Sequence, residues 1–279
     1  MKEKMNNKIK LKWKNIILIL IFLILFITFN ISIYNIIKWK LDSNKTNEEI
    51  NTIQENTNIE EVKDNKGTEI IKQAKKIPKE NPYWDYIKMN MIDVNFDNLK
   101  KINSDVVGWI KVNGTNINYP FVQSKDNKYY LTHSFNKSYN NAGWVFLDYR
   151  NNNINNRNTI IYAHGRTDKT MFGTLRKVLN NGWINNTNNY VIKISTEKEN
   201  SLWQIFSIYH IPTTNDYLQT EFKDEREYQR FLNILKNRSN HNFNTSITSN
   251  DTILTLSTCY NDSEKMVVHA KLIKKQKKY

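Results

Sequence analysis

The chain has 279 residues and a formal net charge of +14, with 41 Lys and Arg against 27 Asp and Glu. Part of the positive excess lies in the N-terminal 14 residues and part in the run 274–278. Neither segment is a recognised nucleic-acid motif, so nucleic acid is not expected as a partner. The charge suits approach to an anionic membrane or wall surface, or it simply reflects a composition rich in Lys and Asn. The single cysteine, Cys259, excludes an intramolecular disulfide.

The N-terminus predicts a membrane anchor. Residues 1–15 form a basic stub, and residues 16–37 are uncharged and dominated by Ile, Leu and Phe. A membrane span needs about 20 apolar residues, whereas the apolar region of a signal peptide has about 7–15. A buried core helix is the less favoured alternative, because the segment is apolar on all faces. Since the larger basic cluster precedes the span, we expect a single-pass cell-membrane protein whose remaining residues lie outside the cell.

The residues after the span divide into a spacer and one domain. Residues 38–80 are polar, mixed in charge and poor in aromatic side chains. Such a stretch buries too little apolar surface to offset its ordering entropy, so we expect a juxtamembrane spacer that is helical in part. Residues 81–279, about 200 residues, are enough for one domain with its own core.

Eight β-strands are predicted in this domain, with one long helix between the sixth and the seventh. The strand candidates are 106–112, 117–122, 144–147, 159–163, 190–194, 202–210, 252–258 and 266–273. Asn113-Gly114 is a strong hairpin signal between the first two strands. The helix covers 222–238, and a shorter helical pattern follows Asn95. This order favours a mostly antiparallel eight-stranded barrel with peripheral helices over an alternating βα fold.

Cys259 is the candidate nucleophile. Unpaired cysteines are uncommon outside the cell, so this thiol is either an inert buried filler or is kept for reactivity. A reactive thiolate needs a nearby base or positive charge. His164 follows the strand 159–163 directly, as Cys259 follows 252–258, and the ends of neighbouring strands can meet at one rim of a barrel. His133 and His269 are expected to be structural, and nothing recruits His210 or His241 to a site.

Two motifs resemble those of sortases, the membrane-anchored cysteine transpeptidases of Gram-positive bacteria. Residues 255–259, TLSTC, are similar to the TLxTC signature that holds the sortase cysteine. Residues 162–165, YAHG, are similar to the segment that holds the sortase histidine. The signal anchor, the eight strands and the order of His before Cys also match. The stretches 108–110 and 142–148, together with the helix 222–238, are most similar to class B sortases.

The resemblance implies an acyl-transfer mechanism. Cys259 would attack the carbonyl of a Thr in a C-terminal sorting signal, and His164 would protonate the departing amine. Ser257 and Thr258 would line the substrate groove. The implied partners are surface proteins with a sorting signal, and peptidoglycan or its lipid-linked precursor, which supplies the acceptor amine. No metal or organic cofactor is implied.

One departure from the family concerns a positive charge. Sortases carry an arginine in the strand after the cysteine, which binds substrate and stabilises the oxyanion, but this chain has no arginine after Cys259. Aligning 266–271 with that strand places Lys265 at the arginine position. Lysine supplies a mobile point charge rather than a planar fork. Arg166 or Arg150, reaching in from another loop, are the alternatives.

The missing arginine leaves two other functions open. One is a peptide-binding protein built on a degenerate sortase barrel, which would bind a sorting peptide without forming a thioester. The other is a wall-directed cysteine hydrolase, in which water rather than an amine resolves the acyl-enzyme.

Overall fold

The computed structural model describes residues 13–73, 76–152 and 156–278. In chain order the helices and strands are α1 (Trp13–Asn56), β1 (Ile59–Val62), β2 (Thr68–Ile70), α2 (Tyr83–Tyr86), β3 (Met91–Val94), α3 (Asp97–Ile102), β4 (Val106–Val112), β5 (Asn118–Gln123), β6 (Phe146–Leu147), β7 (Asn158–Tyr162), α4 (Asn181–Ile184), β8 (Val191–Ser195), β9 (Glu199–Pro212), α5 (Glu225–Asn237), β10 (Ile253–Cys259) and β11 (Glu264–Lys277). Three short 3-10 helices lie at Tyr129–Leu131, Gly173–Leu179 and Thr187–Asn189. The chain divides into two compact units, 1–44 and 45–279.

The first unit holds the apolar part of α1. Its most apolar stretch has a mean hydropathy of 3.0, and none of that stretch is buried against protein. At a rise of about 1.5 Å per residue, about 20 residues cross a hydrocarbon layer of about 30 Å. The helix is therefore long and apolar enough for a single membrane crossing, as the predicted span 16–37 requires.

The second unit is built on a closed eight-stranded barrel. Around the ring the strands follow the order β10, β7, β6, β5, β4, β8, β9 and β11, and β11 pairs with β10 to close it. The pairs β7–β10 and β5–β6 are parallel, and the other pairs are antiparallel. This confirms the predicted barrel, and each of the eight predicted strands corresponds to one strand of the ring.

The turn between β4 and β5 shows how local sequence sets the register. Gly114 has φ of +70°, a left-handed conformation that glycine adopts without steric cost. A Cβ there would lie 2.5 Å from the side chain of Asn189. The predicted Asn113-Gly114 hairpin therefore forms, and Ile110 of β4 pairs with Tyr119 of β5.

Helix α5 covers one side of the barrel and confirms the predicted helix 222–238. Asp224 caps its N-terminus by accepting a hydrogen bond from the Glu227 backbone N–H. Its apolar face packs with Phe206 of β9 and Val267 of β11 in a buried cluster. The buried residues on that face are Tyr228, Phe231, Leu232 and Leu235.

Residues 57–73, which we call the strap, differ from the expected spacer. The strap contains β1, which pairs with β3, and β2, which pairs with β11. The strap packs a few apolar side chains against the core, and backbone pairing and charge add to this attachment. Asp64 accepts from buried Lys274 at 2.7 Å, and Glu61 lies 3.4 Å from Lys193. Residues 57–73 therefore contact the barrel domain, whereas the sequence predicts a juxtamembrane spacer over 38–80.

Candidate active site

Cys259 is the last residue of β10, and its thiol is partly exposed. The six residues before it in β10 are buried, so the strand holds the cysteine at the rim of the barrel. On one side β10 pairs with β7, and on the other side with β11. The two neighbouring strands therefore decide which side chains meet the sulfur.

Lys265 reaches the thiol from the β11 side. It is the register partner of Cys259 in the antiparallel pair, and its Nζ lies 3.2 Å from Cys259 Sγ. The connecting turn is tight, because the Tyr260 N–H donates to Glu264 O at 2.8 Å and Asn261 Oδ1 accepts from the Glu264 N–H at 2.8 Å. A short turn thus brings an ammonium group directly to the sulfur.

His164 approaches from the β7 side. Ser257 is the register partner of Tyr162, so the same parallel register carried two residues further places Cys259 beside His164. Thr258 Oγ1 donates to Ala163 O at 2.7 Å and holds the two chain ends together. A Cβ on Gly165 would lie only 2.2 Å from Cys259 O, so this approach requires glycine.

One ring nitrogen of His164 is occupied. His164 Nε2 lies 2.8 Å from the carbonyl oxygen of Leu131, in the 3-10 helix Tyr129–Leu131. A carbonyl oxygen only accepts, so Nε2 carries a proton in this arrangement. Nδ1 is then the ring nitrogen that can accept a proton from another group.

The two predicted groove residues have buried hydroxyl groups. Ser257 Oγ lies 2.9 Å from Tyr217 OH, and Thr258 Oγ1 donates to Ala163 O. Burial raises the pKa of Tyr217, whose phenol therefore stays neutral beside Ser257. In the structure these hydroxyls brace β10 against its neighbours.

The two alternative arginines are engaged elsewhere. Arg166 pairs with Asp168 at 2.6 Å, and Arg150 pairs with the fully buried carboxylate of Asp148 at 2.7 Å. Burial alone would raise the pKa of Asp148, but the hydrogen bonds from Arg150 hold it below its usual value. Lys265 is the cation in contact with the thiol.

Two groups near the histidine and cysteine segments were not predicted from the sequence, namely Arg176 and the ring of Tyr260. Arg176 Nη2 donates to Gly165 O at 3.3 Å, and its guanidinium carbon lies 5.6 Å from the Tyr260 ring centre. The Tyr260 ring also stacks on His210 at 4.6 Å, which brings His210 closer to the site than its sequence indicated. Arg176 lies in the 3-10 helix Gly173–Leu179, outside both motifs, so no sequence signal marked it.

The remaining histidines occupy packed positions. His133 stacks on Tyr129 with ring centres 4.0 Å apart. His269 is completely buried between Tyr209 OH at 2.8 Å and Thr255 Oγ1 at 2.9 Å. Burial lowers the pKa of His269 to about 3, so it stays neutral near neutral pH. Within 13–73, 76–152 and 156–278, no cluster of three or more His, Cys, Asp or Glu side chains could hold a metal ion.

The arrangement has known counterparts. The profile of the sortase domain matches residues 110–273. A Sortase B of Staphylococcus aureus (strain NCTC 8325 / PS 47) is 39% identical over 184 residues, which cover 64% of this chain and 75% of that protein. The structure of a Staphylococcus aureus sortase B–substrate complex aligns with a TM-score of 0.60 at 38% identity, covering 64% of this chain and 84% of the other. A Bacillus anthracis structure described as similar to sortase B aligns with a TM-score of 0.62 at 36% identity, covering 83% and 94%.

The sortase model matches more than half of the chain, so the chain belongs to the sortase family of cysteine transpeptidases, and its closed eight-stranded barrel agrees with that family. Within that family it is a class B-like sortase, since its relatives and its structural neighbours are sortases B.

Proposed function

We propose that this sortase cleaves a C-terminal sorting signal after a Thr residue and transfers the released protein to an amine of peptidoglycan or of its lipid-linked precursor. The observation that supports this most directly is the placement of Cys259 between His164 on the β7 side and Lys265 on the β11 side. Nucleophilic acyl transfer needs these elements: a thiolate, a proton carrier and a positive charge near the developing oxyanion.

In the first half-reaction the thiolate of Cys259 attacks the Thr carbonyl. Negative charge moves from the sulfur to the carbonyl oxygen, and Lys265, whose Nζ is 3.2 Å from Sγ, provides a donor for both. As the C–N bond breaks, His164 as imidazolium gives its proton to the departing amine from Nδ1. The products are a thioacyl-enzyme, the released C-terminal fragment and a neutral imidazole.

In the second half-reaction an incoming amine attacks the thioester. Neutral His164 takes the proton of that amine, the new amide forms, and Cys259 leaves as a thiolate. The enzyme thus returns to its starting protonation state, and no cofactor is consumed. We propose that Ser257 and Thr258 shape the groove indirectly, because their hydroxyl groups hold the backbone of β10 in place.

The proposed location is the outer face of the cell membrane, with the apolar part of α1 as the single anchor. The hydropathy of that helix and the basic N-terminal stub support this orientation. A membrane-bound enzyme of this kind meets both exported proteins that carry a sorting signal and lipid-linked wall precursors.

Mass spectrometry of the intact protein tests the proposal. We would incubate the enzyme with a peptide library that has a fixed central Thr and varied flanking positions. A mass increase on the wild-type chain that is absent in Cys259→Ala, followed by a ligated product when an amine is added, is the expected result. If the acyl-enzyme hydrolyses and forms no ligated product even after amine is added, the hydrolase is favoured. Peptide binding without any adduct would favour a binding protein.

A further inference from the structure

Arg176 is a half-buried arginine without a carboxylate partner among the described residues. Four other arginines form ion pairs, namely Arg150, Arg157, Arg166 and Arg238. In Arg176, by contrast, Nε is buried without an acceptor, and the one described acceptor, Gly165 O, lies 3.3 Å from Nη2. Leaving a buried cationic donor unpaired is costly, so the buried Nε requires an explanation, and a bound ligand is one.

The position of Arg176 limits what that ligand can be. Gly165, whose carbonyl Arg176 contacts, follows His164 directly and packs against the Cys259 backbone. The guanidinium also lies 5.6 Å from the ring centre of Tyr260, the residue after the cysteine. Through the Gly165 carbonyl, Arg176 contacts the segment that carries His164, whereas Lys265 reaches the sulfur from the β11 side.

In the proposed function, the histidine side is where the departing and incoming amines exchange protons. The departing amine belongs to a peptide, so its α-carbon carries a neutral amide group. An incoming amine, in contrast, can carry a free carboxylate on the same carbon. A planar guanidinium binds such a carboxylate with two parallel hydrogen bonds, which a point charge does not do as well.

The geometry points to Arg176 as a specificity residue that binds the carboxylate of the acceptor, and so to an acceptor whose attacking amine and a free carboxylate share one carbon. This inference rests on the proposed transfer to an amine. Arg176 would orient the amine toward the thioester, since an α-amino acid has only one bond rotation between its two charged groups and a bound carboxylate fixes the nitrogen. The sorting signal and the first half-reaction are not involved.

The test compares an acid acceptor with its amide. The full-length chain in detergent is loaded at Cys259 by thiol exchange with a benzyl thioester of acetyl-threonine, which needs no sorting motif. Alanine and alaninamide are then added separately, and ligation and hydrolysis are followed by mass spectrometry. The variants are Arg176→Gln, Arg176→Lys and, as a control for loss of one nearby charge, Lys177→Gln at an exposed position of the same 3-10 helix.

We expect Arg176→Gln to lower the ratio of alanine to alaninamide ligation about tenfold. Arg176→Lys should have a ratio between those of the wild type and Arg176→Gln, and Lys177→Gln should keep the wild-type ratio. A purely structural role, in which Arg176 only holds the Gly165 carbonyl, would lower both ligations equally and would overturn the inference. An unchanged ratio in Arg176→Gln would overturn it as well.

A second measurement separates this inference from the proposed function. In Cys259→Ala, which forms no thioester, NMR titration follows the Arg176 Nε–H signal with alanine and with alaninamide. A shift with alanine that is absent with alaninamide supports carboxylate binding even if no ligation occurs. Equal or absent shifts contradict carboxylate binding even if the enzyme ligates amines.

Discussion

Lys265 Nζ lies 3.2 Å from Cys259 Sγ, and the two residues are register partners across the β10–β11 pair. The contact depends on a turn of only a few residues, which starts β11 directly beside the end of β10. A lysine thus contacts the thiol, and the alignment of 266–271 predicts that it stands at the position of the family's arginine.

The first prediction concerns this lysine. Lys265→Ala should lower kcat for peptide cleavage about 100-fold, because one donor to the developing oxyanion is removed. Lys265→Arg should retain or raise kcat, because a guanidinium keeps the charge and adds a second donor. Lys236→Ala, at an exposed position in α5, is the matched control and should have the wild-type rate. Wild-type turnover in Lys265→Ala would show that the oxyanion donor is a different group.

A second prediction uses the close approach of Gly165 to the cysteine. Gly165→Ala would place a Cβ 2.2 Å from Cys259 O and 3.0 Å from Thr258 Oγ1, so the histidine segment must move away from β10. Proton transfer depends on distance, and small misplacements of catalytic groups are costly. We therefore expect at least a tenfold loss of kcat/KM. Steady-state kinetics with a cleaved peptide measures this loss.

Gly182→Ala is the matched control for that substitution. A Cβ at Gly182 would meet no heavy atom within 4 Å, and the residue lies in the short helix α4. Alanine favours a helix over glycine by about 1 kcal/mol. We therefore expect unchanged kinetics and a stability equal to or slightly above that of the wild type. If both alanine variants lost activity equally, the contact between Gly165 and Cys259 would not be the cause.

The barrel could be predicted from the sequence because its strands leave strong local signals. Apolar runs such as 252–258 are bounded by polar loops, and Asn113-Gly114 fixes one hairpin. The position of Lys265 came from aligning 266–271 with the family, and the structure brings it to the thiol. Its chemical role stays a prediction.

Other features could not be predicted because they depend on contacts between distant residues. The strap is mostly polar, and its strands pair with β3 and β11, which are distant in the sequence. Arg176 belongs to no motif, and it reaches the site only through the fold of the segment between β7 and β8. No local pattern in the sequence carries information of this kind.

A third prediction concerns the pH dependence of stability. Burial lowers the pKa of His269 to about 3, and the charge of Arg238 adds to the effect. A histidine in the unfolded chain titrates near 6.5. Between these two values the unfolded chain binds a proton that the folded chain does not, so the free energy of unfolding falls as the pH is lowered below about 6.5. The slope from this single group is at most about 1.4 kcal/mol per pH unit.

Urea unfolding between pH 6.5 and 4.5, in the wild type and in His269→Phe, measures this contribution. The variant loses the hydrogen bonds to Tyr209 and Thr255 and should be less stable at every pH. Its stability should nevertheless depend less steeply on pH, because the titrating group is gone. Identical slopes in the two proteins would mean that His269 does not stay neutral in the folded chain.

The fourth prediction concerns the attachment of the strap. The side chain of Lys274 is fully buried, and its Nζ donates to Asp64 Oδ1 at 2.7 Å, to Ile87 O at 2.7 Å and to Met89 O at 2.8 Å. Lys274→Met keeps most of the side-chain volume but leaves these acceptors without their donor. Breaking a buried charge pair on one side costs about 3–5 kcal/mol, and the partial exposure of Asp64 places the expected loss near the lower end.

Lys275→Met is the control, because Lys275 lies next in β11 and also pairs with the strap, to Glu69 at 3.4 Å. That pair is solvent-exposed, with 63% of the Glu69 side chain accessible, so its loss should cost less than about 1 kcal/mol. Urea unfolding followed by tryptophan fluorescence compares the two variants. A large loss of unfolding free energy confined to Lys274→Met means that the buried ammonium group of Lys274 holds the strap. Equal losses in the two variants would mean that backbone pairing of β2 with β11 carries the attachment.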